Sequence, residues 1–333
     1  MVNDNFGVQI LTDNPLIWVL LDDRAGNRSQ AVGVANALDQ PVQRKELRYG
    51  PAAKLPNLVL GASISGLTKQ SKDDLKAPWP SLVISAGRRT APVARWIKAQ
   101  SGGKTRLVQI MDPGSGRNDF DLICMPAHDQ TDMATNTMVI DGAPHGMTVQ
   151  KLEMAAADWS DKLSALQAPR IALMIGGSTR RKRFTVAMAL ELCERANNAA
   201  AKVNGTLMVT TSRRTGDVVD TISEALDSSA VLHRWDSEDE NPYAGYLALA
   251  DAIIVTGESV SMCSEACATG KPVYIYAPGD LITPKHGRLH QTLFDGGYAK
   301  LFDGSIDLAW KPNTLNVAAD IASEIMSRGL LAS

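Results

Sequence analysis

Short apolar runs alternate with stretches of helical spacing along nearly the whole chain. In the first half the pattern predicts strands at 16–21, 42–47, 81–86, 105–111 and 121–125, with helices at 29–38 and 91–100 between them. A helical stretch at 149–166 leads to the segment Gln-Ala-Pro-Arg, which reads as a hinge. The alternation then begins again, with strands at 170–175, 206–211, 230–233, 251–256 and 272–277. Helices are predicted at 184–201, 218–226, 241–250, 262–269 and 316–327. Strands that alternate with helices pair in parallel, because a parallel neighbour needs a crossover long enough to hold a helix. The expectation is two α/β lobes, an N-terminal one over 1–166 and a C-terminal one over 167–333, with the last helix packing back on the first lobe.

Composition changes this picture little. A chain of 333 residues with 44% hydrophobic content has material for two cores. A net charge of -2 gives no general attraction to nucleic acid, so any phosphate binding must come from local clusters such as Arg88-Arg89, Arg180 to Arg183 and Arg213-Arg214. The first 14 residues are polar, and the apolar run after them is too short to span a bilayer, so neither a signal peptide nor a membrane span is expected. The expected location is cytoplasmic, with peripheral contact at the inner membrane face for a lipid-linked substrate. The four cysteines stand in apolar or helical contexts, as reduced thiols do. Cys263 with Cys267 and His286 with His290 imitate a zinc set, but an apolar strand separates the pairs, and no metal is expected.

Ligands of open α/β sheets bind beyond the carboxyl ends of the strands, so the loops there carry the chemistry. After the first strand, Asp22-Asp23 precede a turn at Gly26-Asn27 and a helix opening near Ser29-Gln30, whose free N–H groups suit an anion or a polar acceptor. The second half opens in the same way with Gly176-Gly177-Ser178-Thr179 before a basic run. Arg-Arg-Thr directly follows a strand twice, at 88–90 and at 213–215, and guanidinium forks suit bidentate anion binding. Neither Gly-x4-Gly-Lys-Ser/Thr nor Gly-x-Gly-x-x-Gly occurs, which speaks against ATP hydrolysis and NAD chemistry, so no cofactor is expected. In the segment 255–279, Gly257 permits a turn, Ser259 and Ser261 can cap a helix, and Gly270 ends it. With Ser261 as the cap, Glu265 is expected beside the N-terminal N–H groups, where it can accept both hydroxyls of a ribose while those groups hold a diphosphate.

This combination resembles the donor-binding motif of GT-B glycosyltransferases, especially the membrane-associated N-acetylglucosaminyltransferase of peptidoglycan synthesis and lipid-A disaccharide synthase. A longer resemblance is to the mitochondrial-fission-protein-like family, carried by "DDRAGNRSQAVGVANAL", "SAGRRTAPVA", "IGGSTRRKRF", "TTSRRT" and "ADAIIVTGESVSMCSEACATGKPVYIY". Bacterial and plant members of that family were once labelled nucleoside-diphosphate-sugar epimerases, and the plant members are known for recruiting a dynamin-related GTPase to mitochondria. The resemblance implies a GT-B-like fold of two Rossmann-like lobes with parallel sheets facing a cleft.

It further implies a metal-independent glycosyltransferase that takes a nucleotide-diphosphate sugar in the C-terminal lobe and an acceptor in the N-terminal one. Glu265 would bind ribose, while Ser259, Ser261 and Met262 hold phosphates and Gly177 and Ser178 approach them. Arg213 and Arg214 would offset the charge of the leaving diphosphate. Gly26, Asn27 and Gln30 would line the acceptor side. Such transfer also needs a base to deprotonate the acceptor, for which the first lobe offers Asp22, Asp23, Asp112, His128 and His145, with Asp23 and His145 preferred. A protein-recruiting adaptor and an NAD-independent epimerase are the alternatives. Trp235 reads either as a flank for the nucleobase or as a half-buried side chain at a strand end.

Overall fold

The strands predicted by the alternation assemble into two separate sheets of six parallel strands each. The computed structural model describes residues 15–129 and 134–331; the polar stretch at 1–14 lies outside them. The first sheet comprises β1 (Ile17–Leu21), β2 (Val42–Glu46), β3 (Leu82–Ala86), β4 (Arg106–Ile110), β5 (Leu122–Pro126) and β6 (Thr137–Ile140), in spatial order β2-β1-β3-β4-β5-β6. Its helices are α1 (Ala25–Ala37), the short α2 (Asn57–Leu60) and α3 (Lys69–Asp73), α4 (Ala91–Gln100) and α5 (Val149–Ser160). Every residue of β1, β3 and β5 is buried, as strands covered on both faces must be.

The second sheet comprises β7 (Arg170–Met174), β8 (Thr206–Thr210), β9 (Val231–His233), β10 (Ala252–Thr256), β11 (Val273–Tyr276) and the two-residue β12 (Lys300–Leu301). The spatial order is β12-β11-β10-β7-β8-β9, so the chain winds outward from β7 to β9 and then returns to the other side of β7. Around it run α6 (Val186–Lys202), α7 (Val218–Ala225), α8 (Tyr243–Leu249), α9 (Val260–Cys267), α10 (Pro284–Asp295) and α11 (Val317–Ser327). In the first sheet the winding reverses between β1 and β3, in the second between β7 and β10. Each reversal leaves two strand ends whose loops diverge, and the crevice between such loops is where this architecture takes its ligands.

Two helices tie the lobes together. The helix α5 packs on α8, where the Trp159 ring lies so close to Gly245 that a Cβ there would meet it at 2.3 Å. The helix α11, capped by the Asn316 side chain, packs against α1. Several elements depart from expectation. The helix α1 begins at Ala25 rather than near Ser29, so Gly26 and Asn27 form its first turn and Ser29 is not its cap. The edge strands β6 and β12, the short helices α2 and α3 and the helix α10 lie outside the expected elements. The helix α10 is started by Pro284 and by a capping box between Thr283 and His286. His290, on the same helix, is buried and bonded at 2.7 Å to the Gly257 carbonyl, and burial holds its pKa down at about 4.

Candidate functional site

At the C-terminal switch point the loop after β7 meets the loop after β10. Thr256 ends β10 and accepts the Gly176 N–H at 2.8 Å. Two residues on, the side chain of Glu258 is fully buried, and its Oε1 accepts the Gly177 N–H at 2.6 Å. Arg214, after β8, brings a guanidinium nitrogen to 3.4 Å from the same oxygen. The other oxygen, Oε2, is buried without a hydrogen-bond partner. Burial raises the pKa of Glu258, and the charge of Arg214 and the Gly177 N–H oppose that rise.

The glycines explain how these groups come so close. A Cβ on Gly176 would stand 1.9 Å from Glu258 Oε1, and one on Gly177 would stand 2.2 Å from the Arg214 carbonyl oxygen. Gly177 also has φ +133°, a value side chains rarely tolerate. Ser178 donates its N–H to the Arg214 carbonyl, and its hydroxyl accepts from Phe184 N at 3.1 Å. Ser212 bonds the Gly176 carbonyl and accepts the Arg214 N–H. Arg213 beside it is exposed. The structure therefore brings Gly177, Ser178 and Arg214 into one cradle, built around a carboxylate that the sequence reading passed over. Its signal was present as a charged residue between a buried strand and a helix start.

The helix after β10 starts earlier than expected. Its N-cap is Ser259, which makes no side-chain cap bond, and Ser261 and Met262 are half-buried in the first turn. Glu265 lies five residues beyond the first helical residue, roughly 8 Å along the axis, and so in the C-terminal half of α9 rather than at its start. Helical side chains lean back toward the N-terminus, which recovers part of that distance. Its carboxylate accepts the Tyr243 hydroxyl at 2.6 Å, and burial raises its pKa. Trp235, expected at a strand end, is 43% exposed with its backbone held by Thr211.

The N-terminal switch point is built on the same plan. Asp22, 1% exposed, accepts from Arg24 N at 3.0 Å, from the Asn27 side chain at 2.8 Å and from Arg89. Arg89 also pairs with Asp23 and lies over the Tyr49 ring. Burial works to raise the pKa of Asp23, but bonds from Arg89 and Asp22 and the Arg89 charge bring it below the ordinary carboxylate value. Asp23 thus stays ionised and faces a cavity of about 470 Å³ shared with Arg24, Tyr49, Lys54, Arg88 and Arg89. Gly26 is exposed and Gln30 half-buried on α1. Each Arg-Arg doublet therefore places its second member, Arg89 or Arg214, on a carboxylate at a switch point.

His145 stands apart from that cavity. It is 3% exposed, its Nδ1 accepts the Met147 N–H at 3.2 Å, and burial holds its pKa down at about 4. The lone pair a base would use is thus already engaged. The loop that carries it joins the lobes, with Ala143 N donating to Ser264 on α9 at 3.0 Å.

The model of the mitochondrial fission ELM1 family matches residues 25–329. An uncharacterized protein of Rickettsia prowazekii is 31% identical over 93% of this chain and 97% of its own length. The mitochondrial fission protein ELM1 of Arabidopsis thaliana is 29% identical over 80% of this chain and 68% of its own length. Among solved structures, the UDP-GlcNAc 2-epimerase of Neisseria meningitidis bound to UDP-GlcNAc superposes with a TM-score of 0.55 at 13% identity, over 95% of this chain and 100% of the other. A spinosyn forosaminyltransferase superposes with a TM-score of 0.51 at 14% identity, over 96% of this chain and 93% of the other. At such identities the likeness is one of fold, the two-lobed GT-B architecture.

Proposed function

The chain belongs to the mitochondrial fission ELM1 family, and on that premise we propose that it is a glycosyltransferase binding a nucleotide-diphosphate sugar in the C-terminal lobe. The observation that carries this reading is the cradle at the second switch point, where Gly176 to Ser178, Arg214 and the start of α9 surround the buried Glu258. In this reading the N–H groups at Ser259, Ser261 and Met262 receive the diphosphate, Arg213 and Arg214 offset its charge on departure, and Glu265 exchanges its bond to Tyr243 for the ribose hydroxyls. Asp23, ionised at the mouth of the N-terminal cavity, accepts the proton of the acceptor hydroxyl, with Gly26, Asn27 and Gln30 on the helix beside it. His145 maintains the contact between the lobes.

Binding is tested by titrating the full chain with UDP, GDP, CMP and dTDP and following heat release. Saturable binding of one nucleotide is expected, weakened about tenfold or more in Glu265→Ala, since a hydrogen bond to a charged group is worth about 1.5–3 kcal/mol. Asp23→Asn is expected to leave that affinity unchanged. No binding by any of the four, or an unchanged affinity in Glu265→Ala, overturns the donor site. The name of the Arabidopsis relative favours a second reading, a protein-recruiting adaptor that keeps the fold and turns nothing over. Turnover of a bound nucleotide sugar with no acceptor present would instead assign the chemistry of an epimerase.

A further inference from the structure

We propose that the segment 54–59 is a membrane-docking prong that sets the N-terminal cavity against an anionic lipid bilayer. The prong carries three aliphatic side chains within five residues: Leu55 is 45% exposed, Leu58 83% and Val59 68%. Soluble surfaces carry isolated apolar side chains freely, but a cluster held outward marks a contact.

The outward pose is built rather than incidental. Asn57, buried at the base of α2, donates to the Arg88 carbonyl at 2.7 Å and to the Pro113 carbonyl at 2.6 Å. The Arg88 guanidinium returns bonds to the carbonyls of Ala53 and Leu55 and to the Asn57 side chain. Gly61, at φ +58°, closes the turn. This bracket fixes both ends of a four-residue helix whose Leu60 turns inward beside Leu67 and Val93, and the residues it presents at the tip are Leu58 and Val59.

Charge identifies the occupant. Lys54, next to Leu55, and Arg24, which lines the same cavity and whose charge acts on Asp23, are exposed, and among the described residues neither side chain makes a hydrogen bond or ion pair. Aliphatic side chains that can enter the acyl boundary, flanked by exposed cations that can reach lipid phosphates, fit an anionic bilayer surface better than a protein groove. No helix among the described residues is long and apolar enough to cross a membrane, so the contact is peripheral. The prong shares Lys54 with the cavity and adjoins it at Ala53, so docking would bring Asp23 and Arg89 to the lipid surface, where an acceptor carried on a lipid could enter. The docking itself does not rest on the nucleotide reading.

The test sediments the full chain with vesicles of equal parts phosphatidylglycerol and phosphatidylcholine, and with vesicles of phosphatidylcholine alone. Binding to the mixed vesicles is expected, weakening with added salt and on the neutral vesicles. Leu58→Ser with Val59→Ser is expected to bind at least about tenfold more weakly, and Arg24→Glu with Lys54→Glu to lose the preference for phosphatidylglycerol. Unchanged melting temperatures of both variants establish that they fold. Three results would overturn the proposal: no sedimentation with mixed vesicles, equal binding by the serine variant, or self-association without vesicles that the serine variant abolishes. The last would assign the prong to a second copy of the chain. Because the assay contains no nucleotide, its failure leaves the donor-site titration standing, and the reverse.

Discussion

Gly177→Ala is expected to destabilise the C-terminal lobe by about 3 kcal/mol or more, lowering its melting temperature by roughly 6 to 12 °C. Two penalties coincide there. The backbone sits at φ +133°, and a Cβ would overlap the Arg214 carbonyl oxygen at 2.2 Å. Neither can relax alone, because the Gly177 N–H is bonded to Glu258 and the neighbouring Ser178 N–H to Arg214. Any shift that makes room for the methyl group breaks one of these bonds and leaves a buried group unpaired. Gly26→Ala is the control, since nothing lies within 4 Å of a Cβ there and the position is in the first turn of α1. It should be neutral or stabilising by up to about 1 kcal/mol. Thermal unfolding of both variants measures the difference, and a mild effect at Gly177 would mean that the cradle is looser than its geometry.

The reading of the sequence succeeded where a pattern extends over many residues. Buried parallel strands read as continuous apolar runs, and eight of the twelve strands were placed from that signal, with the polar β2 and the exposed β9 placed by the alternation around them; the two-lobed division followed from the same alternation. It failed where tertiary contact decides. In α10 only Leu289, His290 and Leu293 are buried, so the inward stripe is too narrow to stand out among its polar residues. The strand β6 is a four-residue edge with half its residues turned toward solvent or partly so. The start of α1 was placed late because Arg24, not Ser29, holds the N-cap position, and Arg24 makes no side-chain cap bond. A displacement in the same direction moved Glu265 away from the start of α9, and Glu258 stands in the loop between a strand ending at Thr256 and a helix starting at Val260. The switch points were legible as loops with arginine doublets. That Arg89 and Arg214 each face a carboxylate there depended on the strand order, which no local pattern contains.

The pairing of Arg214 with Glu258 makes a second large effect conditional on pH. Arg214→Met removes the cation that lowers the Glu258 pKa against the upward push of burial. The folded pKa of this carboxyl is already raised, and the substitution raises it further. In such a case the folded state loses stability as pH rises above the unfolded value, because the unfolded chain ionises its glutamate freely while the folded one cannot. At pH 4, below the ordinary glutamate value, the carboxyl is mostly protonated in both states, and the variant should lie close to the parent. At pH 8 the loss should reach about 2 kcal/mol, less than a fully buried pair would give, because Arg214 is itself more than a third exposed. Adding Glu258→Gln should restore the stability at pH 8, since a glutamine keeps an oxygen for the Gly177 N–H and carries no charge to strand. Urea midpoints of the parent, both single variants and the double variant at the two pH values complete the cycle. A loss in Arg214→Met that is equal at both pH values would show that the arginine acts through packing alone, and the diphosphate role assigned to it would then lack its electrostatic basis.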